Sequence, residues 1–133
     1  MVEEKQYLLD TNVIIEVLRG NNAIITKIED VGLNNCFISE ITIAELLYGA
    51  VRGNNPRNFL DVKRIEEEFE VLAIRPAYMQ YAESRNQLRQ KGNPIDHMDL
   101  FVASVAIHNN LVLVSHNTKH FARIEGLTLI DWQ

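Results

Sequence analysis

The chain has 133 residues, 47% of them hydrophobic and 23% charged, with a formal net charge of −5. That length suits one compact domain over residues 1–133, with enough apolar side chains to bury a core without disulfide or metal staples. The negative balance excludes a protein that coats nucleic acid by bulk electrostatics. It does not exclude an enzyme acting on nucleic acid at one acidic site, because a bound metal ion changes the local charge.

The single cysteine, Cys36, cannot form an internal disulfide and reads as a small buried hydrophobe beside Phe37 and Ile38, which suits a reducing cytoplasm. The N-terminal MVEEKQYLLD lacks the basic start and apolar run of a signal peptide. The longest apolar stretch, residues 100–107, falls well short of the ~20 residues needed to cross a bilayer. The sequence thus predicts a soluble cytoplasmic protein.

In chain order, residues 6–9 form a short apolar run that stops at Asp10-Thr11-Asn12. This predicts a buried strand followed at once by a helix, since all three residues can cap free N–H groups. The helix runs through Val13, Ile14, Val17 and Leu18 to Gly20, and a second covers 23–31 before Gly32. Residues 36–39 predict a strand, and Ser39 or Thr42 opens a helix through Ile43, Leu46 and Leu47 that ends before Gly53-Asn54-Asn55-Pro56. Residues 57–69 fit an exposed amphipathic helix with Leu60, Ile65 and Phe69 at helical spacing.

A strand is predicted over 71–74, and Pro76 can start a helix carrying Tyr78, Tyr81 and Leu88 towards Gly92. After Gly92-Asn93-Pro94, a Val- and Ala-rich helix covers about 96–108. Residues 111–114 are uniformly apolar, as in a strand covered on both faces. A turn at 115–118 and a strand at 128–130 close the chain. Strands alternating with helices predict a three-layer α/β/α domain with a mostly parallel central sheet, whose ligands bind at the carboxyl ends of the strands.

Two acids have apolar neighbours. Glu45 in ITIAELLYGA shares a helical face with Ile41, Ala44 and Tyr48, and Asp99 shares one with Asp96, Val102, Ala103 and Ala106. A carboxylate on such a face must be paired, hydrogen-bonded, metal-bound or protonated. Asp10 adds an acid at the end of the first strand, and Asn117 follows the 111–114 strand on the same side of the sheet. Together they predict an oxygen-rich, negative pocket suited to Mg²⁺ or Mn²⁺, with no Cys/His set to select a softer ion. Taken singly, each has a plainer role: Asp10 and Asp96 as helix caps, Glu45 as partner of a buried Arg, Asn117 as a turn residue.

These same residues lie in four segments: LLDTNVII at 8–15, ITIAELLYGA at 41–50, GNPIDHMDLFVASVA at 92–106 and LVSHNTKHFARIEGL at 113–127. In this order and spacing they resemble PIN-domain nucleases, and within them the VapC-type toxins of toxin–antitoxin pairs. The resemblance covers essentially the whole chain. It implies a PIN-like nuclease domain, Mg²⁺- or Mn²⁺-dependent endoribonuclease activity, a VapB-like antitoxin that places an Arg in the acidic pocket, and a homodimer. It carries the family's acids onto Asp10, Glu45 and Asp99, as catalytic residues and metal ligands. The fourth position, Asp in many members, falls on Asn117, which brings no charge. One tightly held ion follows, with Asp96 as a partial substitute for the missing acid. Members of the family often cut tRNA, which makes tRNA the first substrate to test.

Thr11 and Asn12 support Asp10 through hydrogen bonds in this reading, or merely start a helix. Arg52, Arg85, Arg89, Lys119 and Arg123 are candidates to meet RNA phosphates, Lys119 first because it closely follows Asn117. His116 and His120 are spaced like a zinc pair but lack a third ligand. The alternatives are a Mg²⁺-binding phospho-receiver domain, a haloacid-dehalogenase-like phosphatase that would lack its second Asp, and an RNA-binding module with weakened catalysis.

Overall fold

The computed structural model describes residues 5–133; the first four residues, part of the segment read above for a signal peptide, lie outside them. Five strands form one sheet in the order β3-β2-β1-β4-β5, with every neighbouring pair parallel. They are β1 (Tyr7–Leu9), β2 (Cys36–Ser39), β3 (Glu70–Leu72), β4 (Val112–Val114) and β5 (Leu129–Ile130). The expected mostly parallel sheet is therefore wholly parallel.

Alternation along the strands splits the core in two. Leu9, Ile38 and Val114 face one helical layer, made by α1 (Thr11–Leu18), α2 (Asn22–Val31), the body of α3 (Glu40–Gly53) and α4 (Pro56–Glu68). Leu8 and Leu113 face the other, made by α5 (Tyr78–Gln90), α6 (His97–His108) and α7 (Thr118–Phe121). Cys36 is buried in the first layer, and burial pushes its thiol up to about 11, so it packs as an inert apolar group.

Several boundaries differ from the sequence expectation. The strand predicted at 71–74 is Glu70–Leu72, because β2 ends at Ser39, paired with Leu72, and offers nothing to extend against. The Ile74 N–H instead donates to Glu40 Oε1 at 2.7 Å. Pro76 sits in a 3₁₀ turn, Arg75–Ala77, just before α5. Leu111 is buried but outside β4, its N–H closing α6 on Ala106 O at 2.8 Å. On α4, Val62 and Ile65 face the core while Leu60 points out, 67% exposed. Among the described residues no helix is long and apolar enough to cross a membrane.

The chain leaves β1 towards β2 on one side and later crosses to β4 on the other. The reversal opens a crevice at the carboxyl ends of β1 and β4, where open parallel sheets bind ligands.

Candidate active site

Asp10 is the first residue beyond β1, and its N–H donates to Val114 O at 3.0 Å, which ties it to the end of β4. The side chain is almost wholly buried and fully engaged. Oδ1 accepts from the Thr11 N–H at 2.9 Å, which also caps α1, and Oδ2 accepts from Ser115 Oγ at 2.9 Å. Ser115 is itself buried, and its Oγ accepts from the Asn117 N–H at 3.0 Å, so the hydroxyl proton is directed at Asp10. Burial still dominates: it lifts the Asp10 carboxyl above its ordinary range against both hydrogen bonds and the nearby His116 and His120.

Glu45 reaches in from α3, whose start is fixed by Ser39 Oγ accepting from the Thr42 N–H. Thr11 Oγ1 donates to Glu45 Oε1 at 2.6 Å, so its contact with Thr42 Oγ1 at 3.0 Å uses the Thr42 proton. This chain of hydroxyls links α1 to α3 and holds Glu45 beside Asp10. Burial raises the Glu45 carboxyl, as do the charges of Asp10, Asp99 and Asp96, while Thr11 opposes them. Asp99, in the first turn of α6, is raised by burial and by the Asp10 and Asp96 charges. His120 draws it back, with Nε2 3.1 Å from Asp99 Oδ2.

The apolar faces expected for the two helical acids are only partly present. Glu45 is half-buried beside Ala44 and Tyr48, which are exposed, because α3 turns this face to the crevice. Asp99 is half-buried above the buried Val102, Ala103 and Ala106.

Asp10, Thr11, Asn12, Glu45, Asp99 and Asn117 line one cleft of about 500 Å³. Asp96 and Lys119 are exposed and do not line it. Asp96 stands at the N-cap of α6 but makes no side-chain capping bond, so the predicted capping role is not realised; its charge instead bears on Glu45 and Asp99. Asn117 precedes α7 and likewise spends no side-chain bond on capping.

Arg52 lines the cleft where Lys119 does not. It lies two helical turns beyond Glu45 on α3, so the seven-residue spacing was the available signal. The roles that Ser115, Thr42 and His120 take here carried no comparable mark, because their contacts join residues from 21 to 105 positions apart in the chain. The two histidines do not act as a pair: His116 Nδ1 meets Asp131 Oδ1 at 2.9 Å, while His120 faces Asp99.

The cleft offers oxygen donors from three carboxylates and from the amides of Asn12 and Asn117, which is the chemistry hard divalent cations select. Burial first, and then the charges of neighbouring acids, raise the Glu45 and Asp99 carboxyls, and a cation offsets both. Among the described residues no three His, Cys, Asp or Glu side chains converge as a closed metal cage. The acids face a common cleft but stand apart, as like charges do.

The wholly parallel five-stranded sheet opens its acids at the switch point. The PIN domain family matches residues 7–127, and the chain belongs to it. Within that family its relatives include VapC proteins. It is 35% identical over 130 residues to Ribonuclease VapC1 of Haemophilus influenzae (strain R2866), covering 95% of this chain and 97% of that one. It is 32% identical over 129 residues to the tRNA(fMet)-specific endonuclease VapC of Salmonella typhimurium, covering 96% and 98%. Among solved structures it resembles VapBC2 from Rickettsia felis bound to a DNA fragment from their promoter, with a TM-score of 0.89 at 32% identity, covering 96% and 98%.

Proposed function

We propose that this chain is an endoribonuclease, the toxin of a VapBC-type pair, and that Asp10, Glu45 and Asp99 hold the Mg²⁺ or Mn²⁺ it needs. The observation that carries the metal reading is the opening onto one cleft of three carboxylates, one just beyond β1 and the others from α3 and α6, each raised above its ordinary range. When bound, such a cation makes a water more acidic and offsets negative charge on the phosphate as the bond breaks.

The chain's own groups supply the rest. Ser115 and the Thr11 N–H fix Asp10, so its carboxylate needs no reordering as substrate arrives. Glu45 is held by Thr11 through one oxygen, which leaves the other for the cation or for a proton of the attacking water. Arg52 brings a positive charge to the cleft wall, where it draws in a phosphodiester. Asn117 contributes an uncharged polar group, which favours one tightly held ion over two.

The substrate proposed first is tRNA, in keeping with the tRNA(fMet)-specific relative. The partner is a VapB-type antitoxin, as in the VapBC complexes that the chain resembles. Its basic tail would compete with the cation for the acidic cleft. Purified protein incubated with total RNA in Mg²⁺ is expected to yield discrete cleavage ends, with none in EDTA or in Asp10→Asn. Undiminished cleavage in EDTA, or full activity in Asp10→Asn, overturns the metal site.

A further inference from the structure

We infer that His120 is a positioning residue: Arg123 fixes its tautomer so that Nε2–H faces Asp99 and holds that carboxylate in the cleft. The inference deepens the metal reading and rests on it.

Arg123 grips His120 twice, with Nη2 3.2 Å from Nδ1 and Nε donating to the His120 carbonyl at 3.5 Å. A guanidinium has no lone pair to offer, so Nδ1 must accept. In the neutral ring the proton then sits on Nε2, the atom 3.1 Å from Asp99 Oδ2. The ring is further held by Phe121, wholly buried, which meets it edge-on with centroids 5.8 Å apart at 73°.

The placement matters because the Asp10 and Asp96 charges both bear on Asp99. The Nε2 donor at Asp99 Oδ2 offsets that repulsion. Just before α7, which carries His120, lie Asn117 and Ser115; Asn117 holds the Ser115 hydroxyl, and Ser115 fixes Asp10. One short segment after β4 therefore positions two acids drawn from opposite ends of the chain. Groups that orient a metal-binding carboxylate in this way are typically worth about 10–100-fold in metal affinity or activity.

The test is Mn²⁺ titration by calorimetry on the folded full chain, with RNA cleavage measured in parallel. His120→Ala is expected to weaken Mn²⁺ binding about 10–100-fold and to lower kcat with little change in KM for RNA. His120→Gln, whose amide can place a donor near the same oxygen, is expected to recover most of the affinity. Nitrogen-15 NMR of the wild-type ring should show Nε2 protonated and Nδ1 bare, with Arg123→Met mixing the two tautomers. Wild-type Mn²⁺ affinity in His120→Ala, equal losses in Ala and Gln, or a wild-type ring protonated on Nδ1 would each overturn the inference. The NMR result stands even if the Ala variant does not fold. Wild-type protein that takes up no Mn²⁺ overturns the metal reading itself, and this inference with it.

Discussion

Leu8, Leu9 and Asp10 are consecutive residues of nearly equal burial, yet they act on the fold in opposite senses. The leucines are fully buried, one in each core, and stabilise the sheet by leaving water. Asp10 is 5% exposed and hydrogen-bonded through both oxygens, but its carboxyl remains raised. In its ionised form it is held at a cost. Fold and site thus meet at one peptide bond, and the comparison shows that the cleft is kept against the preference of the rest of the domain.

The sharpest break of this contrast is Asp10→Asn. It is expected to reduce RNA cleavage to background while raising the Tm of the metal-free protein at neutral pH, read by thermal melts without and with Mg²⁺. A metal-free variant less stable than wild type would show that Asp10 supports the fold instead of burdening it. Leu8→Ala probes the other side. It should cost about 2–5 kcal/mol in denaturant unfolding yet leave Mn²⁺ affinity of the folded protein intact.

Ser115→Ala removes the bond that aims Asp10, and a loss of about 10–100-fold in Mn²⁺ affinity is expected, with a smaller effect on stability. The smallest effect is on pH dependence. A carboxyl raised in the folded state binds protons there before it does in the unfolded chain. The burden from Asp10, Glu45 and Asp99 is thus complete above their folded pKa values and lifts as pH falls through them. The stability gap between Asp10→Asn and wild type should narrow as pH drops from neutral into the carboxylate range. A gap that widens on acidification reverses the sign and the argument.

The pattern of the sequence carried the architecture. Apolar runs ending in capping residues marked β1 and β2, and Gly32 stops α2 at φ 94°, a conformation glycine adopts without strain. Such signals are local, since hydrogen bonds along a helix and alternation along a strand depend on near neighbours. Glu45 and Asp99 stood out as charges set among apolar residues, and Asp10 as an acid at the end of the first strand. The extent of β3 was not legible, because Ser39 on another strand sets its end. The spacing from Glu45 marked Arg52, but the exclusion of Lys119 was not legible, because it turns on where α7 faces.

Residue type and spacing, then, determined that this chain gathers acids at the carboxyl edge of a parallel α/β sheet. Tertiary structure alone decided how they are held. Ser115 meets Asp10 across 105 residues of chain, Thr11 meets Glu45 across 34, and His120 reaches Asp99 from α7. Hydrogen bonds between residues so far apart leave no period in a sequence, because they exist only once the sheet has brought β1 and β4 side by side.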